Sequence, residues 1–153
     1  MSFDVRTYSP SDVIMTFGGT VVEGWERISI RRNNPTFKTM EGIRGKNARV
    51  RIPNTAATVT IVLSQISRMQ NIFSQIVAMD EATGGGRIIV TIRDVMSGET
   101  FTSANAYLEA PSEITFESEI SQRTWRLNCL TSSFEMGGGY SVGSLIDTVS
   151  SLF

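Results

Sequence analysis

With 153 residues, 41% of them apolar and 19% charged, the chain has the size and composition of one globular domain, or one domain with extended arms. Its net charge of −1 argues against a nucleic-acid binder that relies on overall positive charge, and the absence of histidine removes the commonest general base and metal ligand. A single cysteine, Cys129, excludes an internal disulfide framework, and no run approaches the roughly 18 consecutive apolar residues of a membrane-spanning helix.

The opening residues, 1–12, are polar and lack the ordered regions of a signal peptide, so the expectation is a protein that stays where it is made. Residues 1–11 read as an N-terminal arm. Asp12 to Phe17 reads as a short strand ended by Gly18 and Gly19, with Val21 and Val22 restarting it. From Arg27 to Arg31 the residues alternate, Ile28 and Ile30 on one face and Arg27, Ser29 and Arg31 on the other. A second alternation, Ala48 to Ile52, sets Val50 and Ile52 against Arg49 and Arg51. Pairing of these two strands would give a ribbon with one apolar face and one basic face, a candidate interface made of Arg27, Arg31, Arg49 and Arg51. Residues 33–47 between them hold Pro35, Gly42 and Gly45 and read as an extended loop. A connection that long is usually functional or disordered.

Ala56 to Leu63 is a Thr/Val-rich strand by composition, and Ser64 is placed to cap a helix reaching about Met79. Ile66, Met69, Ile72, Phe73, Ile76 and Val77 fall at helical spacing, which predicts a helix packed across a sheet. Asp80, Glu81 and the glycines at 84–86 end it. Arg87 to Arg93 and Thr100 to Leu108 read as strands around a turn at Met96–Gly98, and Ala110–Ser112 breaks the second. Glu113 to Ile120 then alternates, with Ile114, Phe116 and Ile120 opposite Thr115, Glu117 and Glu119. The last strand runs from Thr124 to about Phe134, with Trp125, Leu127 and Cys129 on one face and the cysteine reading as an inert buried thiol. Glycines 137–139 open a C-terminal arm, residues 137–153, whose final Leu152 and Phe153 suit a partner better than water. The order describes one domain over 1–153 of mainly β (α+β) class, a sandwich or barrel with one flanking helix at about 64–79.

Charge is segregated along the chain. Eight of the fourteen basic residues lie between Arg27 and Arg51, interrupted by Glu41 alone; six acids and no base lie between Asp94 and Glu119. Chemistry-bearing motifs are missing. Residues 40–47 come nearest to a phosphate-binding loop but have methionine where the first glycine belongs and asparagine in place of Ser/Thr. The glycine triplets lack the strand–GxGxxG–helix setting of a dinucleotide site, and a serine triad has no histidine to work with. Glu117 and Glu119 imitate a carboxylate pair, but a solvated acidic face accounts for them more simply. Neither a metal nor a cofactor is expected, and the chain reads as a building block, not an enzyme.

Several features taken together resemble the tail tube proteins of contractile-tailed phages, whose relatives form the type VI secretion tube. They are the opening Tyr8 to Val13 with its Gly18-Gly19 turn, the strand Trp25 to Ile30, the basic Pro/Gly loop, the Thr-rich strand, the helix after Ser64, the strand opening Thr124 to Leu127 and the glycine-rich exit. The likeness spans roughly residues 8–136. It implies a sandwich or barrel whose copies form homohexameric rings, joined by their inner sheets and stacked into a tube. It further implies a sheath protein outside, a tape measure protein and double-stranded DNA in the lumen, and baseplate and tail terminator proteins at the ends. The expected location is the virion tail, after synthesis in the host bacterial cytoplasm, with no membrane partner.

Two surfaces are expected to serve assembly. The 33–47 loop, through Asn33, Pro35, Phe37, Lys38, Met40, Ile43, Arg44 and Lys46, is long and basic enough to reach a neighbouring subunit or ring. Thr115, Glu117 and Glu119 either face the lumen, where an acidic wall lets DNA slide without sticking, or meet Arg49 and Arg51 at a subunit interface. Rival readings are the tube of a related injection or secretion system, a short adaptor ring that does not stack, a small nucleic-acid-binding module using the arginine ribbon, and a barrel enzyme with carboxylate catalysis. The third is thin, because only Trp25 and Phe37 stand near the ribbon to stack on bases.

Overall fold

The computed structural model describes residues 9–42 and 44–136, together with Leu152. A 3-10 turn, Pro10–Asp12, leads into β1 (Val13–Phe17), β2 (Thr20–Val21) and β3 (Trp25–Arg32). An exposed pair, β4 (Phe37–Glu41) and β5 (Asn47–Arg51), precedes β6 (Ala57–Ser64) and the helix α1 (Met69–Thr83). The chain then runs through β7 (Ile88–Asp94), β8 (Thr100–Leu108), β9 (Gln122–Cys129) and β10 (Ser133–Glu135). The fold is mainly β with one flanking helix, as the sequence predicts.

Eight strands form one antiparallel sheet in the order β2-β1-β7-β8-β9-β6-β3, and β10 also pairs with β8. β9 and β10 meet β8 in a single register, Ala106 opposite Cys129 and Phe101 opposite Phe134. The short break between them is therefore a kink in one long strand. β6, between β9 and β3, buries every second residue, Ala57, Val59, Ile61 and Leu63, while Thr58, Thr60 and Val62 take the outer face. Trp125, Leu127 and Cys129 lie opposite Ile61, Val59 and Ala57, so all six enter the same core. The sheet rolls up: residues of β3, at one end of the strand order, share a groove with Val13 of β1 and Ile92 of β7 at the other.

The helix plugs this roll. Met69, Phe73 and Val77 are buried, and the Phe73 ring meets Phe17 and Trp125 edge-on at 5.1 and 5.5 Å between centroids. The indole N–H of Trp125 donates to Gln70 Oε1 at 2.7 Å, so the buried ring carries no orphan donor. The helix starts five residues later than the expected Ser64. Ser64 stays in β6 opposite Gln122, and its N–H bonds to the Gly24 carbonyl. Ser67 Oγ instead accepts the Met69 N–H. Ile66 consequently lies outside the helix and is exposed. At the other end α1 continues past Asp80 and Glu81 to a left-handed Gly84 with φ 73°, whose N–H closes on the Asp80 carbonyl.

Cys129 is 1% exposed, and burial pushes its thiol above the ordinary range, offset only in part by the neighbouring Ser103 hydroxyl. The folded state thus favours the protonated thiol; the stability linked to that preference is intact at neutral pH and is lost as pH rises through the raised value. An aromatic disulfide reagent at neutral pH is expected to leave Cys129 unlabelled until denaturant is added. Stoichiometric labelling of native protein would show the core to be open.

Candidate assembly surfaces

Residues expected to form an extended loop make a β-hairpin. The root is fastened to the body: the Asn33 N–H donates to the Ala56 carbonyl, Thr58 Oγ1 donates to Asn33 Oδ1, and the Ile52 N–H donates to the Thr36 carbonyl, each at 2.9 Å. Beyond the root, all residues of β4 and β5 are exposed. The turn closes through the Gly42 N–H to the Lys46 carbonyl, with Gly45 at φ 73°. Register places Phe37 opposite Arg51 and Thr39 opposite Arg49, and the Arg49 guanidinium lies 4.0 Å above the Phe37 ring. One face therefore carries Phe37, Arg49 and Arg51, and the other carries Lys38, Met40, Ala48 and Val50. Asn33, Pro35, Phe37, Lys38, Met40, Arg44 and Lys46 are all exposed; Ile43 lies outside the described residues.

The arginine ribbon expected from β3 and β5 does not form. β3 pairs with β6 and β5 with β4, so Arg27 and Arg31 are exposed on the rolled sheet while Arg49 and Arg51 stand on the hairpin. A strand partner across five intervening residues is reached at lower loop-closure cost than one across fourteen. Their neighbour Arg32 has a different task. It turns inward, donates from Nε and Nη2 to Ser132 Oγ and the Ser132 carbonyl, and covers the Phe134 ring at 5.2 Å. It clamps β3 to the kink between β9 and β10, a role that no sequence periodicity signals.

The second expectation also changes. Residues 113–120 form no strand, although their residues alternate. Ile114 shares a small pocket with Gln70, Asn71 and Ser74 of α1, and the segment is held by Ser121, whose N–H and hydroxyl reach Gln65 Oε1 and whose hydroxyl is also within 3.2 Å of the Thr115 carbonyl. Thr115, Glu117 and Glu119 are exposed, and so are Ile114 at 60%, Phe116 at 82% and Ile120 at 67%. Three large apolar side chains exposed within seven residues make this segment a candidate contact surface. At the seam of the roll lies the groove of about 460 Å³, floored by Trp25, Ile28, Ile30, Phe101 and Phe134 and rimmed by Glu26, Arg27, Asp94, Glu99 and Glu135. It is open to solvent. The arms expected at 1–11 and 137–153 fall largely outside the described residues. Among the described residues, no helix is long and apolar enough to cross a membrane.

Neither a family model nor a curated protein sequence matches the chain. Solved structures do. The tube-terminating cap of the anti-feeding prophage superposes with a TM-score of 0.63 at 14% identity, covering 90% of this chain and 97% of that one. The sheath/tube terminator of an extracellular contractile injection system, PVC, gives 0.62 at 10% identity, over 87% and 99%. A chain of the PVC sheath–tube complex in its extended state gives 0.58 at 12%, over 85% and 99%. The chain shares its fold with components of contractile injection machines.

Proposed function

We propose that this chain is a structural subunit of a contractile tail or injection machine, assembling with copies of itself into rings that stack as the inner tube. The observation that carries the reading is the β4–β5 hairpin, both of whose strands are exposed throughout, on a domain whose core cluster includes none of their residues. An isolated two-stranded hairpin is at best marginally stable in water, so this one is made to be covered. The fold shared with two tube-terminating structures and a chain of a sheath–tube complex supports the same reading. On it, six copies close a ring, the hairpin reaches a neighbour, a sheath surrounds the tube, and a tape measure protein and DNA occupy the lumen. Residues Thr115, Glu117 and Glu119 belong to the lumen wall or to the contact between copies.

A second reading is a terminator or cap ring that ends the tube without growing. The higher TM-scores of the two terminating chains, 0.63 and 0.62 against 0.58, favour it. Negative-stain electron microscopy at low and high concentration, beside size-exclusion chromatography, separates the two. Hollow tubes of uniform width are the expected result for a tube subunit, and single rings that never lengthen are the result for a terminator. A monomer at every concentration, with salt-sensitive DNA binding, would replace both by the nucleic-acid module.

A further inference from the structure

Residues 113–120 carry the alternation of a strand and have no strand beside them. Such a pattern is costly to leave in water: Ile114, Phe116 and Ile120 are all exposed, and in an extended strand they would fall on the side opposite Glu113, Thr115, Glu117 and Glu119. β5 and the residue after it hold the complementary pattern. Arg49 and Arg51 share one face, and Ala48, Val50 and Ile52 share the other. β5 is paired on one edge only, with β4; among the described residues its outer edge offers unpaired backbone groups to an incoming strand.

Laid along that edge, residues 113–120 satisfy three requirements at once. Their backbone groups find partners. Glutamates fall beside Arg49 and Arg51 on one face, and Ile114, Phe116 or Ile120 falls beside Val50 and Ile52 on the other. A slip of one residue would turn the acids onto the valine side, so the match defines which face pairs with which. Within one chain the two segments are not paired with each other. We infer that residues 113–120 of one copy add as a third strand to the outer edge of β5 in a second copy. The inference rests on the self-assembly reading above and places the acids in the contact between copies instead of on the lumen wall. Because the donated segment and the accepting edge are different surfaces, every copy has one of each free, and the contact repeats around a ring or along a filament.

Charge reversal tests it. E113R/E117R/E119R and R49E/R51E each substitute exposed residues, so circular dichroism and melting should match the wild type. Each set alone is expected to raise the concentration needed for assembly by at least about 100-fold, because like charges then oppose each other along the new edge. Both sets in one chain should restore assembly to within about tenfold of wild type. E99R/E135R, on the rim of the groove, serves as the charge control and should change nothing. Should a reversal variant lose its fold, E117Q/E119Q reads the same contact with a smaller loss, about tenfold. Wild-type protein that stays monomeric overturns the assembly reading and this contact with it. Wild-type assembly that survives both reversals, or that the rim variant alone blocks, overturns the contact and leaves the assembly reading standing.

Discussion

Phe73→Ala lowers the unfolding free energy by about 3–5 kcal/mol, the range for deleting a fully buried aromatic ring and leaving its cavity. Phe73 is 0% exposed and is the point where helix and sheet meet. Its ring is wedged edge-on between Phe17 on β1 and Trp125 on β9, so one truncation removes two aromatic pairs, each worth about 0.5–1.5 kcal/mol beyond its area. Domains of this size hold a net stability of roughly 5–15 kcal/mol, so the loss is a large fraction of the whole. Urea titration followed by tryptophan fluorescence measures it directly, since Trp125 reports on this contact. A midpoint unchanged from wild type would mean that α1 is an ornament on an independently stable sheet, and the packing described above would be wrong.

Removing the hairpin has the opposite profile: it abolishes assembly and spares the fold. Thr36 and Ile52 are already joined by a 2.9 Å backbone hydrogen bond, so Phe37–Arg51 can be replaced by two glycines without stretching the root. No residue of the core cluster lies in the excised stretch. Stability should therefore stay within about 0.5 kcal/mol, the usual spread for surface changes. Rings and tubes should vanish from the electron micrographs, and the chain should elute as a folded monomer at concentrations where wild type assembles. Normal tubes from the excised chain would overturn the role given to the hairpin. Unfolding of the excised chain would instead assign the hairpin to the domain itself, against its complete exposure.

These two outcomes divide along the same line as the legibility of the fold. Residues whose neighbours are close in sequence were readable. The alternation of Ala57–Leu63 reports one apolar face, and β6 buries those residues; the helical spacing of Met69, Phe73 and Val77 reports one apolar stripe, and α1 buries it. Trp125, Leu127 and Cys129 follow the same rule. Boundaries were less readable. Ser64 has the chemistry of a helix cap, but a cap is used only where the chain leaves a strand, and the pairing with Gln122 carries β6 through that residue.

What the sequence determined by itself is the inventory: a mainly β fold with a packed helix, a buried cysteine, a basic segment and an acidic one. Tertiary structure decided the partners. Alternation records that one side of a strand is apolar, but hydrogen-bonding edges point sideways and leave no trace in the pattern. That is why Arg49 and Arg51 stand on a hairpin and not beside Arg27 and Arg31, and why Arg32 is a clamp although its neighbour Arg31 is solvated. Residues 113–120 show the same limit from the other side. Their alternation describes a strand, yet among the described residues no strand pairs with it, because pairing is a property of two segments and alternation records only one of them.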